Sequence, residues 1–139
     1  MIGVLEHLQH PREALREISE NPNIKYFFIS VPTFSLSTYL EILSPDIFHR
    51  QLAGGHTHLY TEKSLHYLAN EFGFRITNEW WFGTDVIDLY RHIRVKLDNI
   101  SASDKFKDTC MNLIPLIDSM QLEVDKNRGS SEVHLLFEK

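Results

Sequence analysis

Glu6 and His7 stand side by side after a short apolar run, and His56 and His58 bracket a single threonine much later in the chain. A carboxylate grouped with imidazoles can do two kinds of chemistry. Imidazole takes up a proton near neutral pH, so His7 or His58 could serve as general base toward an acceptor hydroxyl or amine. One carboxylate and two imidazoles would also suffice for an open three-ligand site for a divalent metal. A single carboxylate holds a hard ion such as Mg²⁺ weakly. The competing role is structural, with Glu6 and His7 hydrogen-bonding the segment that follows them. His10, His49, His66, His92 and His134 have no such company and read as surface or internally satisfied histidines.

The flanking elements decide where these residues meet. Residues 2–5 have strand composition, 11–20 helix composition, and 24–31 form a second run rich in β-branched and aromatic residues. This is a βαβ pattern, which sets two strands parallel and places functional residues where the strands end. Glu6, His7 and residues 32–35 are therefore expected on one rim. Ser35 or Ser37 should cap a helix running through Leu43, and residues 48–55 read as a loop in which Gly54-Gly55 permits a tight turn. Thr61 opens a helix carrying Leu65, Leu68, Ala69 and Phe72, which Gly73 ends.

Residues 74–82 form a strand candidate, and Thr84-Asp85 caps a helix with Val86, Leu89, Tyr90, Ile93 and Leu97 on one face. Phe106, Cys110, Leu113, Ile117, Met120 and Val124 then recur at alternating steps of four and three, a heptad-like seam that Pro115 should kink or restart. Residues 133–137 make a last strand. Phe48, Tyr60 and Trp81, with His56, are the expected lining of a substrate pocket at the mouth, although the pair Trp80-Trp81 also suits core packing.

Bulk composition narrows the class. The chain has 139 residues, 42% hydrophobic and 24% charged, enough for one domain with a core. A net charge of −5 without a Lys/Arg cluster argues against nucleic acid as a partner. No apolar stretch approaches the length of a membrane span and no signal-peptide pattern is present, so no membrane partner is expected. The single cysteine, Cys110, cannot form an internal disulfide, which suits a cytoplasmic setting.

The blocks Val4-Leu5-Glu6-His7-Leu8, Leu15-Arg16-Glu17-Ile18, Ser30-Val31-Pro32, His56-Thr57-His58-Leu59-Tyr60-Thr61, Ser64-Leu65 and Phe72-Gly73-Phe74 resemble, in order and spacing, the second half of class I S-adenosylmethionine-dependent methyltransferases. The resemblance implies a single α/β domain over 1–139. It would be a partial Rossmann-like methyltransferase sheet, parallel strands plus a C-terminal antiparallel strand pair, with 83–131 inserted as a helical lid over the substrate pocket. It implies S-adenosylmethionine as cofactor, with Leu5 and Glu6 as the part of its site carried here. The Gly-rich turn that cradles the cofactor in that family has no match, since neither Gly54-Gly55 nor Gly73 opens a helix after a strand. The chain is therefore expected to be the C-terminal half of such an enzyme, inactive alone.

Some branches of the family carry Glu-x-x-Glu-His at this strand end and a later His, and bind a divalent metal. Here Gly3 replaces the first glutamate and His58 matches the later His, so the resemblance implies Glu6, His7 and His58 as the metal ligands. The expected activity is methyl transfer to a small-molecule acceptor, with O-methylation preferred and with Glu6, His7 and His58 catalytic. A second expectation is a non-catalytic module of degenerate methyltransferase fold. It would form a homodimer through the strand edge at 2–5 or the heptad-like helix. A third is a two-chain enzyme whose other polypeptide supplies the Gly-rich half.

Overall fold

The computed structural model describes residues 1–47, 49–52, 55–100 and 103–139. Pro11 sits in the first turn of α1 (Pro11–Glu20), where its missing N–H costs nothing, and Leu15 faces inward. β1 (Tyr26–Pro32) follows, then α2 (Leu36–Leu43), whose N-cap is Ser35. Thr61 caps α3 (Glu62–Glu71) through a reciprocal pair of bonds with Ser64, and Gly73, at φ +71°, releases the chain into β2 (Arg75–Phe82). The helices α4 (Asp85–Asn99), α5 (Asp104–Met111) and α6 (Ile117–Lys126) precede β3 (Glu132–Glu138).

β3 lies between β1 and β2 and is antiparallel to both, with Ile29 opposite Leu135 and Trp81 opposite Val133. The antiparallel pairing of the last two strands is therefore present, but the parallel sheet expected from the βαβ pattern is not shown. Among the described residues, parallel pairing is confined to the isolated bridges Ile2 with Ser30 and Thr33 with Tyr60. The anticipated strand at 2–5 is corrected for a local reason. Gly3 adopts φ +60° and Leu5–His7 winds into one 3-10 turn, so extended geometry stops after Ile2.

Strand alternation sorts the two faces of the sheet. Phe27, Ile29, Val31, Val133, Leu135, Phe137 and Trp81 join Leu15 of α1 and Leu65 and Ala69 of α3 in one core, within which Phe27 stacks on Phe137 at 4.6 Å. The other face carries Phe28, Trp80, Phe82 and His134, whose rings meet at 4.5 to 5.2 Å. Trp80 there is 62% exposed.

The heptad-like seam does not run as one stripe. Pro115 falls in a 3-10 turn (Ile114–Leu116) that separates α5 from α6, and Cys110 and Ile117 are buried while Phe106, Leu113 and Met120 stay exposed. Among the described residues no helix is long and apolar enough to cross a membrane.

Candidate functional site

The rim forms where the first residues meet the end of β1. Ser30 N–H donates to Met1 O at 2.9 Å, and Gly3 N–H donates to Ser30 O at 3.3 Å. The turn at Gly3 then drops Leu5 into the core and turns Glu6 inward, 3% exposed. A distant loop is pinned on top of it. The Glu6 carbonyl accepts from Thr57 N at 2.8 Å, His58 N at 3.2 Å and Thr57 Oγ1 at 2.8 Å. Tyr60 N donates to Pro32 O and Phe34 N to Tyr60 O, which fastens the far end of that loop to β1.

This clamp brings together Glu6, His7 and His56. One ligand atom of each lies within 4.8 Å of the other two, and the His7 and His56 rings stand 4.9 Å apart. His7 Nε2 is 3.8 Å from Glu6 Oε1. His7 Nδ1 meets Gly55 O and His56 Nδ1 meets Gln51 O, both at 3.0 Å. A carbonyl only accepts, so both Nδ1 atoms carry hydrogen. Each Nε2 is then the nitrogen left for a proton or a metal. Gly3 and Gly55, both at positive φ, flank the cluster.

The sequence expectation named His58 as the third member, whereas the structure sets His56 beside Glu6 and His7. The turn at Gly55 folds the chain back over His7, so the residue next to that turn reaches the cluster. His58 Nδ1 instead bonds Thr57 Oγ1 at 2.9 Å, and its ring lines a separate cleft of about 330 Å³ with His10, Arg12 and Arg16.

The expected aromatic pocket is corrected too. Tyr60 and Trp81 belong to the core, where Trp81 Nε1 donates to Glu79 Oε2 at 3.1 Å, and Phe48 lies outside the described residues. Beside the cluster is a cavity of about 230 Å³ lined by Glu6, His56, Ser30, Arg50, Gln51 and Glu132 among others. Arg50 is fixed from behind, its Nη2 donating to Asp88 Oδ2 at 3.1 Å and to Ser131 Oγ at 2.9 Å. Gln51 N donates to Glu41 Oε1 at 2.7 Å.

Tyr60, 5% exposed, has its phenol pushed up to about 12 by burial and then by the charge of Glu6. An unfolded tyrosine loses its proton near pH 10. Above that value the unfolded chain ionises first, so the stability that Tyr60 contributes is complete below pH 10 and is lost as pH rises toward 12. Tyr60→Phe should flatten this loss while costing little at pH 7, because its hydroxyl makes only a 3.4 Å bond to Leu5 O. Melting temperatures of both proteins between about pH 9 and pH 12 check it.

Sequence reading took Asp85 only as a cap of its own helix and missed the buried polar group it anchors. Asp85 is fully buried and accepts from Ser35 Oγ at 2.5 Å, Ser37 N at 3.1 Å, Ser37 Oγ at 3.0 Å and Ser131 N at 2.8 Å. Asp88, one turn on, accepts from Ser37 Oγ at 2.8 Å and from Arg50. One carboxylate thus caps α2, the helix opposite, and ties α4 to the start of β3. The pair Asp85 and Asp88 at helical spacing, with Ser35 and Ser37 elsewhere, was the available signal.

Gly83 permits the crossing, since a Cβ there would lie 2.8 Å from Ser131 N and 2.6 Å from Asp85 Oδ2. Gly83→Ala should destabilise the fold by about 1–3 kcal/mol in urea unfolding.

The model of a methyltransferase-domain family matches residues 1–79, more than half of the chain and all of the Glu6, His7 and His56 cluster. A search of curated proteins finds no match. With that model matched over more than half of its length, the chain belongs to the methyltransferase-domain family.

Proposed function

We propose that this chain is the acceptor-side half of an S-adenosylmethionine-dependent methyltransferase acting on a hydroxyl of a small molecule. The observation that carries the reading is the convergence of Glu6, His7 and His56 inside the family-matched region, beside a cavity that Glu6 and His56 line. Imidazole Nε2 of His56 or His7 receives the proton that the acceptor oxygen loses. The carbonyls of Gly55 and Gln51, accepting from Nδ1 of His7 and His56, orient the two rings, and Glu6 Oε1, 3.8 Å from His7 Nε2, would stabilise the charge that proton uptake leaves on His7. The reaction needs alignment more than functional groups, and the buried Glu6 with its clamped carbonyl supplies a rigid edge for it.

The family's methyl donor is a sulfonium, which brings its own electrophilic carbon. The residues described here fit only its margin. Leu5 can offer backbone alone, its side chain being in the core, and Glu6 offers a carboxylate. The positive-φ glycines Gly3 and Gly55 serve Glu6 and His7, and Gly73 ends α3, so none of them forms a cofactor-cradling turn between a strand and a helix. The remainder of that site is assigned to residues beyond the described ones, in cis or on a partner chain.

Calorimetric titration with S-adenosylhomocysteine, with mass measured in solution, tests this. A folded monomer that shows no one-to-one binding is expected. Tight binding by the monomer would place a complete cofactor site in these residues and overturn the half-site reading. A non-binding dimer would favour the interaction module, which the open aromatic face at Phe28, Trp80, Phe82 and His134 supports.

A metal role is favoured by the 4.8 Å grouping of Glu6, His7 and His56. Two imidazoles and one carboxylate suit Zn²⁺ or Co²⁺ over Mg²⁺. Titration with Co²⁺ should show one site that His56→Ala removes and His58→Ala keeps. Equal binding by the His56 variant would sink the metal role.

A further inference from the structure

Glu41 lies on α2, 3% exposed and one turn after Ser37, whose N–H and hydroxyl both donate to Asp85. Both of its carboxylate oxygens are committed to the backbone of the loop that follows. Oε1 accepts from Gln51 N at 2.7 Å and Oε2 from Leu52 N at 2.9 Å. Bonds from amides to an ionised carboxylate are stronger than neutral ones, so this stretch of loop is firmly held.

The Leu52 N–H and the Gln51 carbonyl are the two ends of one peptide group, and that carbonyl accepts from His56 Nδ1 at 3.0 Å. Glu41 and His56 thus sit at opposite ends of a single planar trans unit. Because the unit is planar, pinning its N–H also sets the direction of its carbonyl. Hydrogen bonds in series polarise one another, so a carboxylate on the N–H makes the carbonyl a better acceptor for Nδ1–H. Both effects keep hydrogen on Nδ1 and leave the lone pair on Nε2, the nitrogen that a proton or a metal would use. Among the described residues the His56 ring makes no other hydrogen bond than this one.

We propose that Glu41 is the positioning residue of His56, acting through the Gln51–Leu52 peptide as a carboxylate acts on a histidine it touches directly. This rests on the reading of His56 as a proton acceptor in methyl transfer and deepens it. Glu41 does not line the cavity at the rim and both of its oxygens are engaged, so its influence passes through the ring alone.

The tautomer of His56 is read from its ring nitrogen NMR shifts in the 139-residue chain, with a chelator present, at about pH 8, where an ordinary imidazole is neutral. Hydrogen on Nδ1 is expected in the wild type and a mixture of both tautomers in Glu41→Ala. Glu41→Gln should change less, because its amide oxygen still accepts one of the two N–H groups, and it serves the same comparison if the alanine variant does not fold. Gly83→Ala, destabilised at a site away from this peptide, should keep the wild-type tautomer. In the cofactor-competent protein Glu41→Ala should lower kcat about tenfold and leave KM within about twofold. An unchanged tautomer in the Glu41 variants, an equal change in Gly83→Ala, or a raised KM with kcat intact overturns the positioning role. A tautomer that follows Glu41 in a protein that transfers no methyl group would refute the methyl-transfer reading and leave the relay standing. Methyl transfer with a tautomer indifferent to Glu41 would do the reverse.

Discussion

Asp85→Ala is expected to cost the fold about 3–5 kcal/mol, the loss typical of removing one partner from a buried charged network. The backbone donors Ser37 N and Ser131 N, with the hydroxyls of Ser35 and Ser37, lose their shared acceptor in a place water does not reach. Domains of this size keep about 5–15 kcal/mol in all, so the variant should unfold at markedly lower urea or fail to fold at 37 °C. Asp85→Asn keeps an acceptor for α2 but turns an amide N–H toward Ser131 N, so it should fall between the two. Urea unfolding with two optical probes measures both. A loss below about 1 kcal/mol for the alanine variant would mean that Asp85 does not hold α2, α4 and β3 together.

The second large effect separates two histidines that the sequence presents alike. His56→Ala should lower methyl transfer by about 10²–10⁴-fold, the range for a removed general base. His58→Ala should leave it within about threefold, because its ring is held by Thr57 Oγ1 and faces the cleft with His10, Arg12 and Arg16. The assay is turnover from labelled S-adenosylmethionine in the cofactor-competent protein, with melting temperature as the control for folding. Losses of equal size at both positions would contradict the geometry of the rim.

These contrasts show which parts of the molecule were readable from the chain alone. The span of α1, the cap of α3 at Thr61, its end at Gly73 and the restart at Pro115 were all legible. Each is decided by residues within a turn or two of one another. The likeness of short apolar blocks to a methyltransferase was legible for the same reason, and the family match over residues 1–79 agrees with it. Glu6 and His7 were singled out together because adjacent residues keep their adjacency in any fold.

Everything that required distant segments to meet was settled only in three dimensions. The placement of β3 between β1 and β2 depends on pairing across the whole chain, and composition does not encode strand order. The placement of His56, and not His58, beside Glu6 and His7 follows three bonds to one carbonyl of Glu6 and the positive φ at Gly55. Trp81 went to the core because the face of the sheet decides burial, and Tyr60 because its loop is fastened to the end of β1. Asp85 looked like an ordinary helix cap until Ser35, Ser37 and Ser131 were brought to it from other elements. Local periodicity and capping are short-range and therefore written in the sequence, whereas hydrogen bonds between remote groups are chosen by the fold that brings those groups within reach.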